Sequence, residues 1–105
     1  MTHKANSNQV IYKLTNRVTG EFYVGLTVAA FGKDFLRAAR ARFNRHVCRA
    51  RRENKQWALC LSIRKYGRPS FEVSVIDVIR TKQVAHQVEI AYINSLQPQL
   101  NSTNN

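Results

Sequence analysis

The sequence predicts an α+β fold with the element order β-β-α-α-β-α. Near its start, two short segments rich in β-branched and aromatic residues flank a turn-forming stretch. Two stretches with helical periodicity follow, and a third alternating segment precedes a last helical one. The 105 residues suffice for one small domain, which we expect to span residues 9–101. Residues 1–8 and 102–105 are polar without periodicity, and we expect flexible termini there.

The first two strands are predicted to form a β-hairpin. Residues 9–15 and 21–26 have the β-branched and aromatic content of strands. Between them, residues 16–20 read Asn-Arg-Val-Thr-Gly, which is turn chemistry.

Two amphipathic helices are predicted next, over residues 33–53 and 55–66. The first has no glycine or proline, and its apolar residues recur every three or four positions: Phe35, Ala39, Phe43, Val47 and Ala50. The second helix ends at Gly67, with Pro69 just beyond. Cys48 and Cys60 lie in these helices without the spacing of a zinc site or a disulfide framework, so we expect free thiols in the core.

A third strand and a third helix complete the order. Residues 71–79 alternate and then become almost continuously apolar, which predicts a strand at the centre of the sheet. Residues 82–96 fit a helix that ends before Pro98. Its predicted apolar side carries Val84, Val88, Ala91 and Tyr92.

The charge of the chain favours a polyanionic partner. The sequence has 17 Lys and Arg against 6 Asp and Glu, a formal charge of +11, and nucleic acid is the leading candidate. A hydrophobic fraction of 44% argues against a disordered basic tail. No apolar run approaches the roughly 20 residues that cross a bilayer. We therefore expect a cytoplasmic protein that does not bind membranes.

Arg42 and His46 are one helical turn apart and leave the same face of the first helix, about 6 Å apart along its axis. An arginine offers a planar fork of donors to phosphate oxygens, and a histidine exchanges a proton near neutral pH. We predict that Arg42 stabilises charge and that His46 relays a proton. The alternative is a solvated basic helix.

Further basic residues crowd the same region. Arginines three and four positions apart form a ridge that can follow a phosphate backbone without reading bases. Like charges at that spacing repel one another, so solubility alone is the weaker explanation. The candidate nucleic-acid contacts are Arg37, Arg40, Arg45, Arg49, Arg51, Arg52 and Lys55.

Glu89 is the only acidic residue of the third predicted helix, and it shares a face with Ala85 and Ile93. An unpaired carboxylate among apolar neighbours is costly. A hard cation such as Mg²⁺, completed by water and phosphate oxygens, would offset that cost. The alternative is a structural salt bridge to one of the arginines.

Tyr12 and Tyr23 lie on adjacent predicted strands, and a suitable register places both on one face. Either could hydrogen-bond an attacking water. A free tyrosine has a pKa of about 10, so it needs a metal, an arginine or His46 to act as a base at neutral pH. Gly25 would let backbone approach closely where a side chain would clash. The alternative is that both tyrosines are ordinary strand aromatics.

Taken in order, these motifs resemble those of the GIY-YIG nuclease superfamily. Residues 10–12 (Val-Ile-Tyr) and 23–25 (Tyr-Val-Gly) resemble its name-giving motifs, with valine in place of the first glycine. Residues 42–46 resemble its Arg-x-x-x-His helix, residues 88–93 its glutamate helix, and residues 98–101 its terminal Asn motif.

The resemblance implies a small three-stranded antiparallel β-sheet flanked by three helices, and a DNA endonuclease that uses Mg²⁺ or Mn²⁺, one ion per active site. It assigns the metal to Glu89, the general base to Tyr12 and a supporting role to Tyr23. It also implies that Asn101 orients the glutamate or the phosphate. The implied substrate is duplex or branched DNA, and a homodimer or a specificity-conferring partner remains open.

Two non-enzymatic hypotheses stay open from the sequence. One is a basic nucleic-acid-binding protein that keeps this scaffold without hydrolysing anything. The other is a small assembly protein bound to structured RNA. Salt-sensitive binding without turnover would distinguish either from a nuclease.

Overall fold

The computed structural model describes residues 7–53 and 57–101 and confirms the predicted α+β architecture and element order. Three strands form one antiparallel sheet, and three helices flank it. No helix in this part of the chain combines the length and the apolar character that crossing a membrane requires. The elements are β1 (Gln9–Asn16), β2 (Phe22–Val28), α1 (Phe35–Arg52), α2 (Ala58–Tyr66), β3 (Phe71–Ile79) and α3 (Lys82–Leu96), with short 3-10 turns at Arg68–Ser70 and Gln99–Asn101.

The central strand is β1, because the strand order is β2-β1-β3. The prediction that the third strand is central was therefore wrong. In β1, Val10, Ile11 and Leu14 are fully buried, whereas most residues of β3 are only half-buried. An apolar run indicates that both faces of a strand are buried, but it does not show how many strands pair with it.

The register of the hairpin places both predicted tyrosines on one face. Tyr12 pairs with Gly25, and Leu14 pairs with Tyr23, so these four residues share the face that α1 covers. Lys13 lies between Tyr12 and Leu14 and therefore belongs to the opposite face.

Helix α1 begins after Asp34, whose side chain accepts a hydrogen bond from the Arg37 backbone N–H at 3.1 Å. The predicted apolar stripe of this helix packs into the core through Ala39, Phe43, Val47 and Ala50. Cys60 is buried as predicted, but Cys48 is exposed. The reason is rotational: Cys48 lies about 100° around the helix from Val47 and so leaves the stripe.

Helix α3 is rotated relative to its predicted apolar side. Ala85 is its buried residue, whereas Val84 and Ala91 are exposed. The side that faces the sheet includes Glu89. Hydrophobic periodicity assigns the buried side of a helix from apolar residues alone and therefore does not place a glutamate there. The Tyr92 hydroxyl donates to Asp77 Oδ2 of β3 at 3.0 Å and fixes this rotation.

Candidate active site

A buried cluster of two phenols and one imidazole occupies the space between the hairpin and α1. Tyr12 is 1% exposed, and its Oη lies 3.0 Å from Nε2 of His46. The Tyr23 ring meets the His46 ring edge-on at 5.3 Å and lies 6.2 Å from the Tyr12 ring, measured between centroids. The fold therefore brings together three residues that the sequence singled out on three different elements.

Gly25 is required by this packing. A Cβ atom at this position would lie 2.5 Å from Tyr12 Oη and 2.8 Å from Tyr23 Cε2, closer than side chains approach one another. The absence of a side chain lets the two tyrosines lie against the β2 backbone.

The cluster is uncharged at neutral pH. Burial, and to a smaller extent the neighbouring Tyr23, raises the pKa of Tyr12 well above that of a free phenol. Burial also raises the pKa of Tyr23. Burial, together with the charge of Arg42 and of other arginines on α1, lowers the pKa of His46 to about 4. A neutral His46 with its proton on Nδ1 can accept the Tyr12 hydroxyl proton at Nε2.

Arg42 borders the cluster from one turn earlier on α1. It lines a recess together with Tyr23, His46 and Trp57, and it also lines the basin that contains Glu89. Its Nε atom is buried and has no hydrogen-bond partner among the described residues. A buried donor without a partner costs about 1–3 kcal/mol. Because the Arg42 side chain also lines the basin, a phosphate bound there would lie beside its guanidinium fork.

Glu89 of α3 lies in a basin of about 380 Å³ that Tyr12, Tyr23 and Arg42 also line. Its side chain is 20% exposed, and burial raises the pKa of its carboxyl group. Within residues 7–53 and 57–101 no arginine forms an ion pair with it; its contact is His86 Nδ1 at 3.8 Å. The alternative of a structural salt bridge to arginine is not found there.

The donor set around Glu89 fits a hard divalent cation with an open coordination shell. Across the described ranges, no three His, Cys, Asp or Glu side chains gather into a protein cage for a metal. One carboxylate oxygen therefore leaves most positions to water and to phosphate, which is the shell that Mg²⁺ accepts readily and Zn²⁺ does not.

Asn101 contacts the backbone of β2 and not Glu89. Its Oδ1 accepts from the Val24 N–H, and its Nδ2 donates to the Val24 carbonyl, both at 2.8 Å. Nearby, Gln99 Oε1 accepts from the Phe22 N–H at 3.3 Å. Asn101 thus closes the free edge of β2 and positions the strand that carries Tyr23 and Gly25.

The predicted basic residues are distributed around α1. The Arg37 guanidinium lies 4.3 Å from the centroid of the Phe31 ring. Arg49 lies 5.2 Å from the centroid of the Trp57 ring and pairs with Glu53 at 3.6 Å. Arg45, Arg51 and Arg52 are exposed, Arg40 lies on the far side of α1, and Lys55 falls outside the described residues.

Two residues at this centre were missed from the sequence. Trp57 is not among the predicted site residues, yet it lines the recess beside Arg42 and His46. His86 is not among them either, yet its Nδ1 atom lies 3.8 Å from the Glu89 carboxylate. The three-residue spacing of His86 and Glu89 on one helix was the available signal.

Comparison with known proteins gives one result that bears on this centre. A family model of the GIY-YIG catalytic domain matches residues 8–104, which is nearly the whole chain. Neither the curated proteins nor the solved structures contain a match.

Proposed function

This chain belongs to the GIY-YIG family and is thus a nuclease domain, and from that premise we propose that it hydrolyses one DNA strand per active site with a divalent metal held by Glu89. The observation that carries the proposal is that Tyr12, Arg42 and Glu89 line one basin, with His46 hydrogen-bonded to Tyr12 behind it.

Hydrolysis of a phosphodiester has three requirements. Its anionic phosphate must be neutralised, a water must be activated, and the departing alkoxide must be stabilised. The basin offers a cationic fork, a phenol backed by a proton acceptor, and a carboxylate for a metal. All three lie within one small volume.

Tyr12 and His46 supply the water activation. The Tyr12 oxygen accepts a proton from the attacking water while its own proton moves to Nε2 of His46, 3.0 Å away. His46 is neutral at physiological pH and so has a lone pair for that proton, and the negative charge of a bound phosphate would offset the arginine charges that lower its pKa. Tyr23 holds the imidazole edge-on and so fixes the direction of the transfer.

Arg42 stabilises the charge that develops on the phosphate. Its guanidinium never loses its proton under physiological conditions, and its fork matches two phosphate oxygens at once. The Arg42 side chain already lines the basin, so its charge is in place before the substrate arrives.

Glu89 would hold the cation. Nucleases of this family are generally dependent on a divalent metal, and for this chain we propose one Mg²⁺, or Mn²⁺ in its place, in each active site. When bound, the ion supplies Lewis-acid stabilisation of phosphate oxygens. His86, 3.8 Å from the carboxylate, orients it on α3.

Cleavage of supercoiled plasmid tests this proposal. We expect nicked DNA to accumulate only when Mg²⁺ is present, and we expect Glu89→Gln to lower the rate at least ~100-fold. Glu72→Gln is the matched control, because Glu72 is an exposed carboxylate on β3 outside the basin. Its rate should equal that of the unsubstituted chain.

A different outcome would favour a non-catalytic binder. The proposal fails if plasmid, branched and single-stranded DNA are all bound in a salt-sensitive manner and none is cut with Mg²⁺ or Mn²⁺. It also fails if Glu89→Gln cuts as fast as Glu72→Gln.

A further inference from the structure

A second positively charged groove lies beside α1, outside the catalytic basin. Arg17 of the hairpin turn, Arg40 of α1 and Arg68 of the 3-10 turn before β3 all border it. Phe43 and Phe71 form its floor. None of these five residues lines the basin of Glu89.

The groove is held by contacts between elements that are distant in sequence. The Arg17 backbone N–H donates to the Ser70 carbonyl at 2.8 Å, which ties the hairpin turn to the 3-10 turn. Arg68 donates to the side-chain oxygen of Asn44 on α1. The backbone of Arg17 and the side chain of Arg68 are thus held beside one opening that Phe43 and Phe71 also line.

The positive charge of the groove is not compensated. In the described part of the chain, no carboxylate lies within ion-pair distance of Arg17, Arg40 or Arg68. Guanidinium groups gathered around one opening repel one another. Phosphate is the anion whose oxygens match their planar donors.

Helix α1 separates the groove from the catalytic basin. The basin lies on the β2 side, where Tyr23 lines it, and the groove lies on the β3 side, where Phe71 and Val73 line it. Around α1, Arg40 lies about 160° from Arg42. The two sites are therefore one helix diameter apart, which is about 10–12 Å.

This separation matches a dimension of B-form DNA. Its major groove is about 12 Å wide and admits an α-helix, and its two walls are the backbones of opposite strands. The face of α1 between the two sites carries Arg45 and Arg52, both exposed and basic, and the exposed Cys48.

We propose that α1 lies in the major groove of a DNA duplex, with a phosphate of the cut strand at Arg42 and the backbone of the uncut strand in the groove of Arg17, Arg40 and Arg68. The identity of the cut strand rests on the proposed function, but the binding of the second backbone does not. The substrate class is then B-form duplex DNA, since the deep and narrow major groove of duplex RNA excludes a helix.

Binding without metal tests the second backbone. We expect Arg40→Gln to bind duplex DNA more weakly and to lower the slope of log K against log salt by about 0.9, the value for one lost phosphate contact. Lys13→Gln removes the same charge from the sheet face opposite α1 and should leave that slope unchanged. Equal slopes for the unsubstituted chain, Arg40→Gln and Lys13→Gln would overturn the proposal.

Replacing single DNA phosphates with uncharged analogues identifies the strand that contacts the groove. Uncharged methylphosphonates, scanned along the uncut strand, should weaken binding by the unsubstituted chain at a few adjacent positions, and Arg40→Gln should show no further loss there. The proposal would be contradicted if the methylphosphonate and Arg40→Gln weakened binding additively, or if only methylphosphonates in the cut strand weakened it. If the chain binds DNA but never cuts it, the proposed function fails. Each strand is then scanned in turn, and the slope of log K against log salt still tests whether the groove binds a backbone.

Cys48 reports on the face of α1 directly. It is exposed at the middle of that face, whereas Cys60 is buried, so a thiol reagent should modify Cys48 alone. We expect saturating duplex DNA to block this modification and duplex RNA to leave it unchanged. An unprotected Cys48 in the DNA complex would show that α1 does not enter the groove.

Discussion

A single methyl group at position 25 would collide with both tyrosines of the catalytic centre. We therefore expect Gly25→Ala to lower the free energy of unfolding by about 1–3 kcal/mol, as overpacking does. It should also abolish most of the cleavage, because Tyr12 Oη is the nearest atom to the added carbon. Urea unfolding and plasmid nicking measure the two effects.

Gly20→Ala separates this clash from backbone strain. A Cβ at Gly20 meets nothing within 4 Å, but its φ of 81° disfavours any side chain. We expect a loss of stability of about 1–2 kcal/mol, with cleavage unchanged. If Gly25→Ala cuts DNA as well as Gly20→Ala does, the close approach has no part in catalysis.

His46 makes stability depend on pH. The unfolded chain protonates this residue near pH 6.5, whereas the folded chain protonates it only near pH 4. Between these values the unfolded state binds more protons, so stability falls as the pH is lowered from about 6.5 to 4. The shift corresponds to about 3 kcal/mol at its limit.

Comparison with His46→Gln isolates this effect. The difference in unfolding free energy between the two proteins should be largest at pH 7 and shrink toward pH 4, as measured by urea unfolding. A difference that stays constant over this range would mean that His46 is not held neutral by burial.

At the residue scale, the sequence predicted which side chains of the cluster meet but not what Asn101 contacts. Spacing on one helix and alternation on two strands placed Tyr12, Tyr23 and His46 together. The contact of Asn101 with Val24 spans 77 positions, and no local pattern records such a pairing. That Arg42 Nε is buried without a hydrogen-bond partner among the described residues likewise depends on the packing of several elements.

At the element scale, the edge strand β2 depends on Asn101. Asn101→Ala would leave the N–H and carbonyl of Val24 without these partners, and we expect a loss of about 2 kcal/mol in unfolding free energy. Asn101→Asp keeps the acceptor and should lose less. Because β2 carries Tyr23, cleavage should fall with stability.

Gln99→Ala is the control for that prediction. Its bond to the Phe22 N–H is exposed and longer, so water can replace it, and we expect a change within about 0.5 kcal/mol. Equal losses for Asn101→Ala and Gln99→Ala would show that the two bonds of Asn101 do not support the strand.

Element positions followed closely from the sequence, whereas element arrangement did not. The third strand and third helix were predicted with the bounds that the structure has, because proline and alternation mark their ends. Strand order was missed because apolar content reports burial and not pairing. The rotation of α3 was missed because a glutamate faces the sheet.

At the scale of the whole molecule, charge and topology act together. The net charge of +11 predicted a polyanionic partner, but the sheet order β2-β1-β3 decides that basic groups border both sides of α1. If the chain contacts about six phosphates, its affinity for duplex DNA should fall about 10³-fold between 50 and 200 mM salt. Fluorescence anisotropy measures this, and a salt-independent affinity would contradict it.

The rate of single-turnover cleavage by Tyr12→Phe tests the central claim most directly. This change removes only the hydroxyl that bonds His46, and Tyr66→Phe is the matched control on α2. The account predicts an unchanged affinity for DNA and a cleavage rate at least ~100-fold lower for Tyr12→Phe, with Tyr66→Phe at the unsubstituted rate. A Tyr12→Phe rate within about twofold of that control would contradict a catalytic role for the Tyr12 and His46 pair.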